Sequence, residues 1–141
     1  MAVDGDPAAA HALFQQAWEA CQDDYEASIA AHYLARHQAS PDDSLYWNRV
    51  ALERAEAVPD GRAHPFLPSL YLNLAESYRE LARSAEALAA VDRGIAAIEL
   101  LPHDGYRAFI AYGLHRLRAR LVDGIPSDPA ITLHADASCR D

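Results

Sequence analysis

Imidazole suits both metal binding and proton transfer near neutral pH. The seven histidines, His11, His32, His37, His64, His103, His115 and His134, are therefore the first residues to weigh. No two stand four apart, the spacing that sets a ligand pair on one helical face, and there is no HExxH run. His32 and His37 are five apart, about 140° around a helix at about 100° per residue, so they diverge. No metal site is expected. Nucleophilic chemistry fares no better, because GxSxG, CxxC and glycine-rich phosphate loops are all missing from the sequence. Cys21 falls on an apolar stripe and reads as an inert core thiol.

The stronger lead is the run from Asp24 to His37. Asp24, Ser28, His32 and Arg36 recur every four residues, a polar line down one side of a helix. Tyr33 and His37 lie about 60° to 100° further round. One reading is a solvated face with pairing along the helix. The other is a pocket in which His32 gives or takes a proton and Arg36 clamps an anion, with Tyr33 and His37 beside them. That second reading is a small-molecule-binding protein or a minor enzyme.

Composition narrows the partners. The formal net charge is −9 and all twelve basic residues are arginine. A surface of that sign repels phosphate, so nucleic acid is not an expected partner. Arginine without lysine follows from GC-rich coding or from selection for bidentate anion contacts. His115, Arg116, Arg118 and Arg120 sit near a helix C-terminus, where positive charge complements the helix dipole. Two isolated cysteines, Cys21 and Cys139, form no disulfide framework, and the first ten residues are acidic where a signal peptide is basic. No apolar run approaches the roughly 18 residues of a membrane span. These features point to a cytoplasmic protein with no cofactor and no membrane partner.

Helices must position these groups. Alanine dominates the apolar fraction, whereas Val, Ile and Thr are sparse. Residues 1–6 read as a disordered lead-in and 7–122 as one helical domain. The first helix spans Pro7 to about Gln22, with a core stripe of Leu13, Ala17, Ala20 and Cys21 and a second stripe of Phe14 and Trp18. The second spans about Tyr25 to Ala39, with Ala27, Ala30, Ala31 and Leu34 toward the core and Ile29 and Tyr33 nearly opposite. The third runs from Ser44 to Val58, capped by Asp42, Asp43 or Ser44. VPDGRAHP, Val58 to Pro65, is a turn-rich linker. Helices from Phe66 or Pro68 to Leu81, from Ser84 to Leu101 and from Tyr106 to Val122 follow. Residues 123–141 lack a helical period and read as an extended or disordered tail, with Ile125, Ile131 and Leu133 as apolar content to bury if it folds back.

The stretch Tyr71 to Ala97, YLNLAESYRELARSAEALAAVDRGIAA, carries a repeat signal. Tyr71, Leu74-Ala75, Tyr78, Ala87, Val91, Gly94 and Pro102 resemble the pattern of the tetratricopeptide repeat (TPR), W-x₂-L-G-x₂-Y, then A, F and P. Phe14, Trp18 and Ala27 match it more weakly, and Trp47-x₂-Val50-Ala51 opens a unit whose phase breaks at the linker. The runs DDYEA, AHYLARHQ, LYWN and PSLYLNLAESY are also similar to small TPR-like proteins of high-GC bacteria. The resemblance implies an all-α, TPR-like right-handed solenoid of about six antiparallel helices, each hairpin burying its faces against its neighbours. It also implies a non-catalytic interaction module that binds a protein or peptide segment on the concave helical face. By that resemblance Asn73 takes the place of the asparagine that bonds a ligand backbone, with Asn48, Arg49, Arg107, Glu76 and Tyr71 about the same groove. The lysines of the carboxylate-clamp subgroup have no counterpart here. A short solenoid exposes its end faces, so a homodimer or docking on a larger protein is expected. A specific site is expected first where the Val58–Pro65 linker lets the third and fourth helices leave the stack.

Overall fold

The computed structural model describes residues 7–124. Six α-helices follow one another: α1 Pro7–Glu19, α2 Asp24–Ala35, α3 Pro41–Ala57, α4 Leu67–Glu80, α5 Ser84–Ala97 and α6 Gly105–Gly124. Single 3-10 turns at His64–Phe66 and Ile98–Leu100 lead into α4 and out of α5. Among the described residues there is no strand. No helix among them is long and apolar enough to cross a membrane. The expected lead-in, 1–6, and the expected tail beyond 124 lie outside the described residues. α6 itself runs two residues past its expected end.

Helix ends follow from local hydrogen bonds. Asp23 caps α2 by accepting from the Glu26 N–H at 2.8 Å, and the Glu26 carboxylate accepts from the Gln22 N–H at 3.1 Å. α2 stops at Ala35, four residues early, and α3 starts at Pro41, three residues early. The reason is Ser40, whose Oγ accepts from the Asp43 N–H at 3.0 Å, so that Pro41 takes the first helical turn. Ser44, expected among the caps, instead donates its Oγ to the Ala35 carbonyl at 2.9 Å and ties α3 to the end of α2. Between α4 and α5 the chain turns at Ala82, with φ 60°. There the Arg83 N–H bonds the Tyr78 carbonyl and the Ala82 N–H bonds the Arg79 carbonyl, both at 2.9 Å, a Schellman closure.

Each helix packs on the next, most extensively α2 on α3 and α4 on α5, and α4 also meets α6. Cross-links fix the direction. Asp24 at the start of α2 pairs with Arg54 near the end of α3 at 3.0 Å, so the two are antiparallel. Asp92 of α5 pairs with Arg118 of α6 at 2.7 Å. Small residues permit the close approach: Ala31, Ala51, Ala75 and Ala87 are wholly buried around Leu34, Val91, Leu114 and Leu117. Gly94 is the tightest point. A Cβ there would come within 2.8 Å of Leu114 Cδ2 and 3.0 Å of Tyr71 Cβ. Gly94 thus lets α5 pack closely against both α4 and α6.

The first helix departs from its expected orientation. Leu13, Ala17 and Ala20 are exposed, and Cys21 is only partly covered. Ala10, Phe14 and Trp18 do the packing instead, with Phe14 on α2 and Trp18 edge-on to Trp47 of α3 at 5.1 Å. Rings gain more from burial than Leu13 and two alanines, so the aromatic stripe turns inward and α1 becomes an edge helix.

The linker is ordered. Val58 and Ala63 are buried in the core, and Gly61 takes φ 77°, which costs a glycine nothing. The Arg62 guanidinium lies 4.5 Å from the Tyr25 ring centre, and Phe66 packs on the same ring at 5.8 Å. The linker thus docks beneath the N-terminal end of α2 and sets Phe66 beside it.

Candidate functional site: the cleft between the second and fourth helices

Since α3 runs antiparallel to both of its neighbours, α2 and α4 lie side by side in the same direction. They do not touch along their full length. A cavity of about 280 Å³ opens between them, lined by Ser28, Ile29, His32 and Tyr33 from α2 and by Phe66, Ser69 and Leu70 from the other side. One turn on, a second depression of about 260 Å³ is lined by Arg36 of α2, Asn48 of α3 and Asn73, Glu76, Ser77 and Glu80 of α4, among others. The contact between the two is His32 with Asn73, Nδ1 to Nδ2 at 3.4 Å.

The first cavity is apolar in effect. Its two serines spend their hydroxyls on their own helices: Ser28 Oγ donates to the Tyr25 carbonyl at 2.8 Å and Ser69 Oγ to the Phe66 carbonyl at 3.0 Å. Ile29, Leu70 and Phe66 supply the walls. Tyr33 stacks flat on Phe14 of α1, with ring centres 5.0 Å apart and planes 10° apart, and so stands fixed at the rim.

Polar valence is left over at the junction. With the Asn73 amide oriented so that Nδ2 faces the ring, Nδ2 donates, His32 Nδ1 accepts and the imidazole carries its proton on Nε2. Burial pushes the His32 pKa below its ordinary 6.5, and the Arg36 charge lowers it further. The ring is therefore neutral at neutral pH. Its Nε2–H and the Asn73 Oδ1 have no hydrogen-bond partner among the described residues. Asn48 is not free in this way. It is buried and donates Nδ2 to Ser77 Oγ at 2.7 Å and toward the Asn73 carbonyl at 3.4 Å. Its work is to hold α4 against α3 and keep Asn73 in place. Glu76 is ion-paired to Arg79 at 2.9 Å.

Six of the residues singled out in the sequence thus meet at one cleft: His32, Tyr33, Arg36, Asn48, Asn73 and Glu76. They came from two separate readings, and the structure brings both together. The other four lie elsewhere. His37 turns toward α1, 5.0 Å from the Phe14 ring, with Nδ1 on the Tyr33 carbonyl at 2.9 Å. Arg49 is exposed on α3, where its charge reaches Glu86 of α5. Tyr71 faces away from the cleft and donates its hydroxyl to Glu56 at 2.6 Å; burial and then that carboxylate push its phenol up to about 12. Arg107 bonds the Leu101 carbonyl at 2.9 Å and Glu99 at 3.4 Å, bracing the end of α5.

Ile29, Phe66, Ser69 and Leu70 were not singled out as site residues. Ile29 had a signal, since it stands opposite the core stripe of α2. Ser69 and Leu70 had none, because only the pairing of α2 with α4 makes them lining. No group of three His, Cys, Asp or Glu side chains among the described residues could hold a metal ion. Cys21 Sγ donates to the Ala17 carbonyl at 3.1 Å, and burial with the Glu26 charge pushes its thiol up, away from the reactive thiolate.

Comparison with family models, with curated proteins and with solved structures finds no match to this chain. The likeness to TPR therefore stands on the residues that carry it, chiefly Tyr71 to Ala97.

Proposed function

We propose that this protein is a non-catalytic interaction module, a short TPR-like solenoid that binds an extended segment of a partner protein in the cleft between α2 and α4. One observation carries the reading. An apolar cavity, an unpaired donor on His32 and an unpaired acceptor on Asn73 follow one another along two adjoining depressions between α2 and α4. An extended chain presents the complement at the same scale: a side chain to bury, then one backbone C=O for the imidazole N–H and one N–H for the amide oxygen. Arg36, Glu76 and Glu80 beyond the junction add charge of both signs for side-chain selection. The order of helices supports the solenoid: each packs mainly on its neighbour in sequence, and α2 and α4 run parallel on one side.

A second reading is a small apolar ligand in the cavity alone. The fixed Tyr33 rim and the neutral His32 favour it. Of the four residues that reading was built on, only His32 and Tyr33 line the cavity.

Peptide selection separates the two. A random peptide library displayed on phage is selected against the folded chain and counter-selected against Ser69→Trp, which fills the cavity. Enriched peptides are expected to share an apolar residue at one position and to lose binding on Ser69→Trp. Asn73→Ala is expected to weaken them about tenfold, the loss of roughly one hydrogen bond, with helicity by circular dichroism unchanged. Peptides that bind Ser69→Trp and Asn73→Ala as well as the parent chain would sink the proposal. Binding of small apolar compounds without any peptide enrichment would favour the second reading.

A further inference from the structure

The two ends of the helical array are not alike. α1 exposes one large apolar side chain, Leu13. α6 exposes three rings, Tyr106 at 45%, Phe109 at 72% and Tyr112 at 64%. On a helical wheel Arg116 and Arg120 fall within about 20° of Phe109, and Tyr106 and Tyr112 flank it at about 60° on either side. The buried face, Ile110, Leu114, Leu117 and Leu121, is turned away. The open stripe is thus aromatic along its N-terminal half and carries two arginines along its C-terminal half, with Asp123, about 40° from Phe109, at its end. Arg118, on another face, pairs with Asp92, but neither Arg116 nor Arg120 has a carboxylate partner among the described residues. Arg116 already leans on a ring: Nη1 donates to the Tyr112 hydroxyl at 3.2 Å, and the guanidinium lies 6.0 Å from that ring's centre.

A stripe divided in this way is complementary to itself, and only when two copies run antiparallel. Then each aromatic half meets the cationic half of the other, and a guanidinium over a ring face is attracted by the ring's quadrupole. A parallel pair would set ring on ring and cation on cation. We propose that the chain forms a two-fold dimer through α6, with the axis close to Tyr112, Phe109 beneath the arginine at 116 in the second copy, and Tyr106 beside the arginine at 120. The interface is isologous, so it closes at two and leaves no further end of the same kind. No α6 residue lines the cleft between α2 and α4, so both clefts stay open and a bivalent module results. The dimer stands independently of what the clefts bind.

Sedimentation velocity over a concentration series, on the full chain, reads the association. The parent chain is expected to shift from monomer to dimer. Phe109→Ser and Arg116→Glu, both at exposed positions, are each expected to weaken dimerisation at least about tenfold, with unchanged circular dichroism. Cross-linking reads the geometry. In a Cys21→Ser, Cys139→Ser background, Tyr112→Cys is expected to form a disulfide dimer on mild oxidation. Tyr106→Cys is not, because an antiparallel pair sets the two copies of that position about 20 Å apart. A chain that stays monomeric at every concentration overturns the proposal, whether α6 is left bare or is covered by residues 125–141. So does a dimer indifferent to Phe109→Ser, or equal cross-linking at the two positions.

Discussion

His32 is the residue on which the cleft turns, and its charge state decides what the cleft offers. Neutral, it accepts from Asn73 at Nδ1 and presents a donor at Nε2. Protonated, Nδ1 becomes a second donor facing the Asn73 amide N–H, and a positive charge is set near Arg36. The folded chain resists this: burial first, and the Arg36 charge second, hold the His32 pKa below its ordinary 6.5. In the unfolded chain neither cause acts. As pH falls through about 6.5 the unfolded chain binds its proton first, so the contribution of His32 to stability is complete above that pH and is lost on descent toward the folded value. His32→Gln keeps a neutral partner for Asn73 and removes the titration. Urea midpoints at about pH 8 and about pH 5 should therefore differ less for His32→Gln than for the parent chain; an equal loss in both would show that His32 does not carry the effect. Part of this residue was legible in advance. The four-residue repeat of Asp24, Ser28, His32 and Arg36 marked a polar line. That His32 meets Asn73, forty-one positions away, was not legible, because helical periodicity says which way a side chain points from its own axis and nothing about which helix it will find there.

At the scale of the element, punctuation was legible and orientation was not. Asp6-Pro7, Asp23-Asp24, Ser40-Pro41, Asp60-Gly61, Ser84 and Pro102 divide the chain into six helices, and six are found among the described residues. The misplaced ends of α2 and α3 share one cause: several polar residues crowd Ser40 to Ser44, and which one caps depends on where Ser44 is drawn by Ala35. α1 shows the harder limit. Two stripes of comparable apolarity stood side by side, and the choice between them was made by Tyr33, His37 and Trp47, which belong to other helices. Arg49, Tyr71 and Arg107 were assigned to the groove with no account of which face of its helix each occupies: Tyr71 is on α4 but turns to Glu56, Arg49 is on α3 but only Ser44 and Asn48 of that helix reach the cleft, and no α6 residue does. The α4–α5 turn makes the sharpest element-level prediction. Its Schellman closure needs a left-handed residue at Ala82, with φ 60°, and an L-residue pays roughly 1 kcal/mol for that conformation. Glycine bears no such cost but is freer in the unfolded chain, which gives part of the gain back. Ala82→Gly should still raise stability, by about 0.5 kcal/mol, read as a higher denaturation midpoint with unchanged slope. A lower midpoint would mean that the turn is held by its contacts and not by its backbone.

At the scale of the whole molecule, the question is whether six helices behave as one cooperative core or as a row. A row has a signature. When each unit packs mainly on its neighbours, stability is a sum of units and interfaces, and the end units, with one interface instead of two, open first. Here α4 holds more buried residues than any other helix, Tyr71, Leu74 and Ala75 among them, and α5 sits between α4 and α6, with Gly94 closely packed against both. α1 has one broad partner, α2, and meets α3 through the Trp18 ring, against Trp47 and the Arg54 guanidinium, and it leaves Leu13 and Ala17 open. Native-state hydrogen exchange should therefore be graded: amides of α1 should open at a free energy well below the global value, those of α2 and α3 should follow, and those of α4 and α5 should exchange only with global unfolding. The other end supplies an internal control. If α6 pairs with a second copy it has a second interface, and its protection should rise with protein concentration while that of α1 does not. A single opening energy shared by all six helices would describe an ordinary bundle, and the reading of the chain as a short solenoid would fall with it.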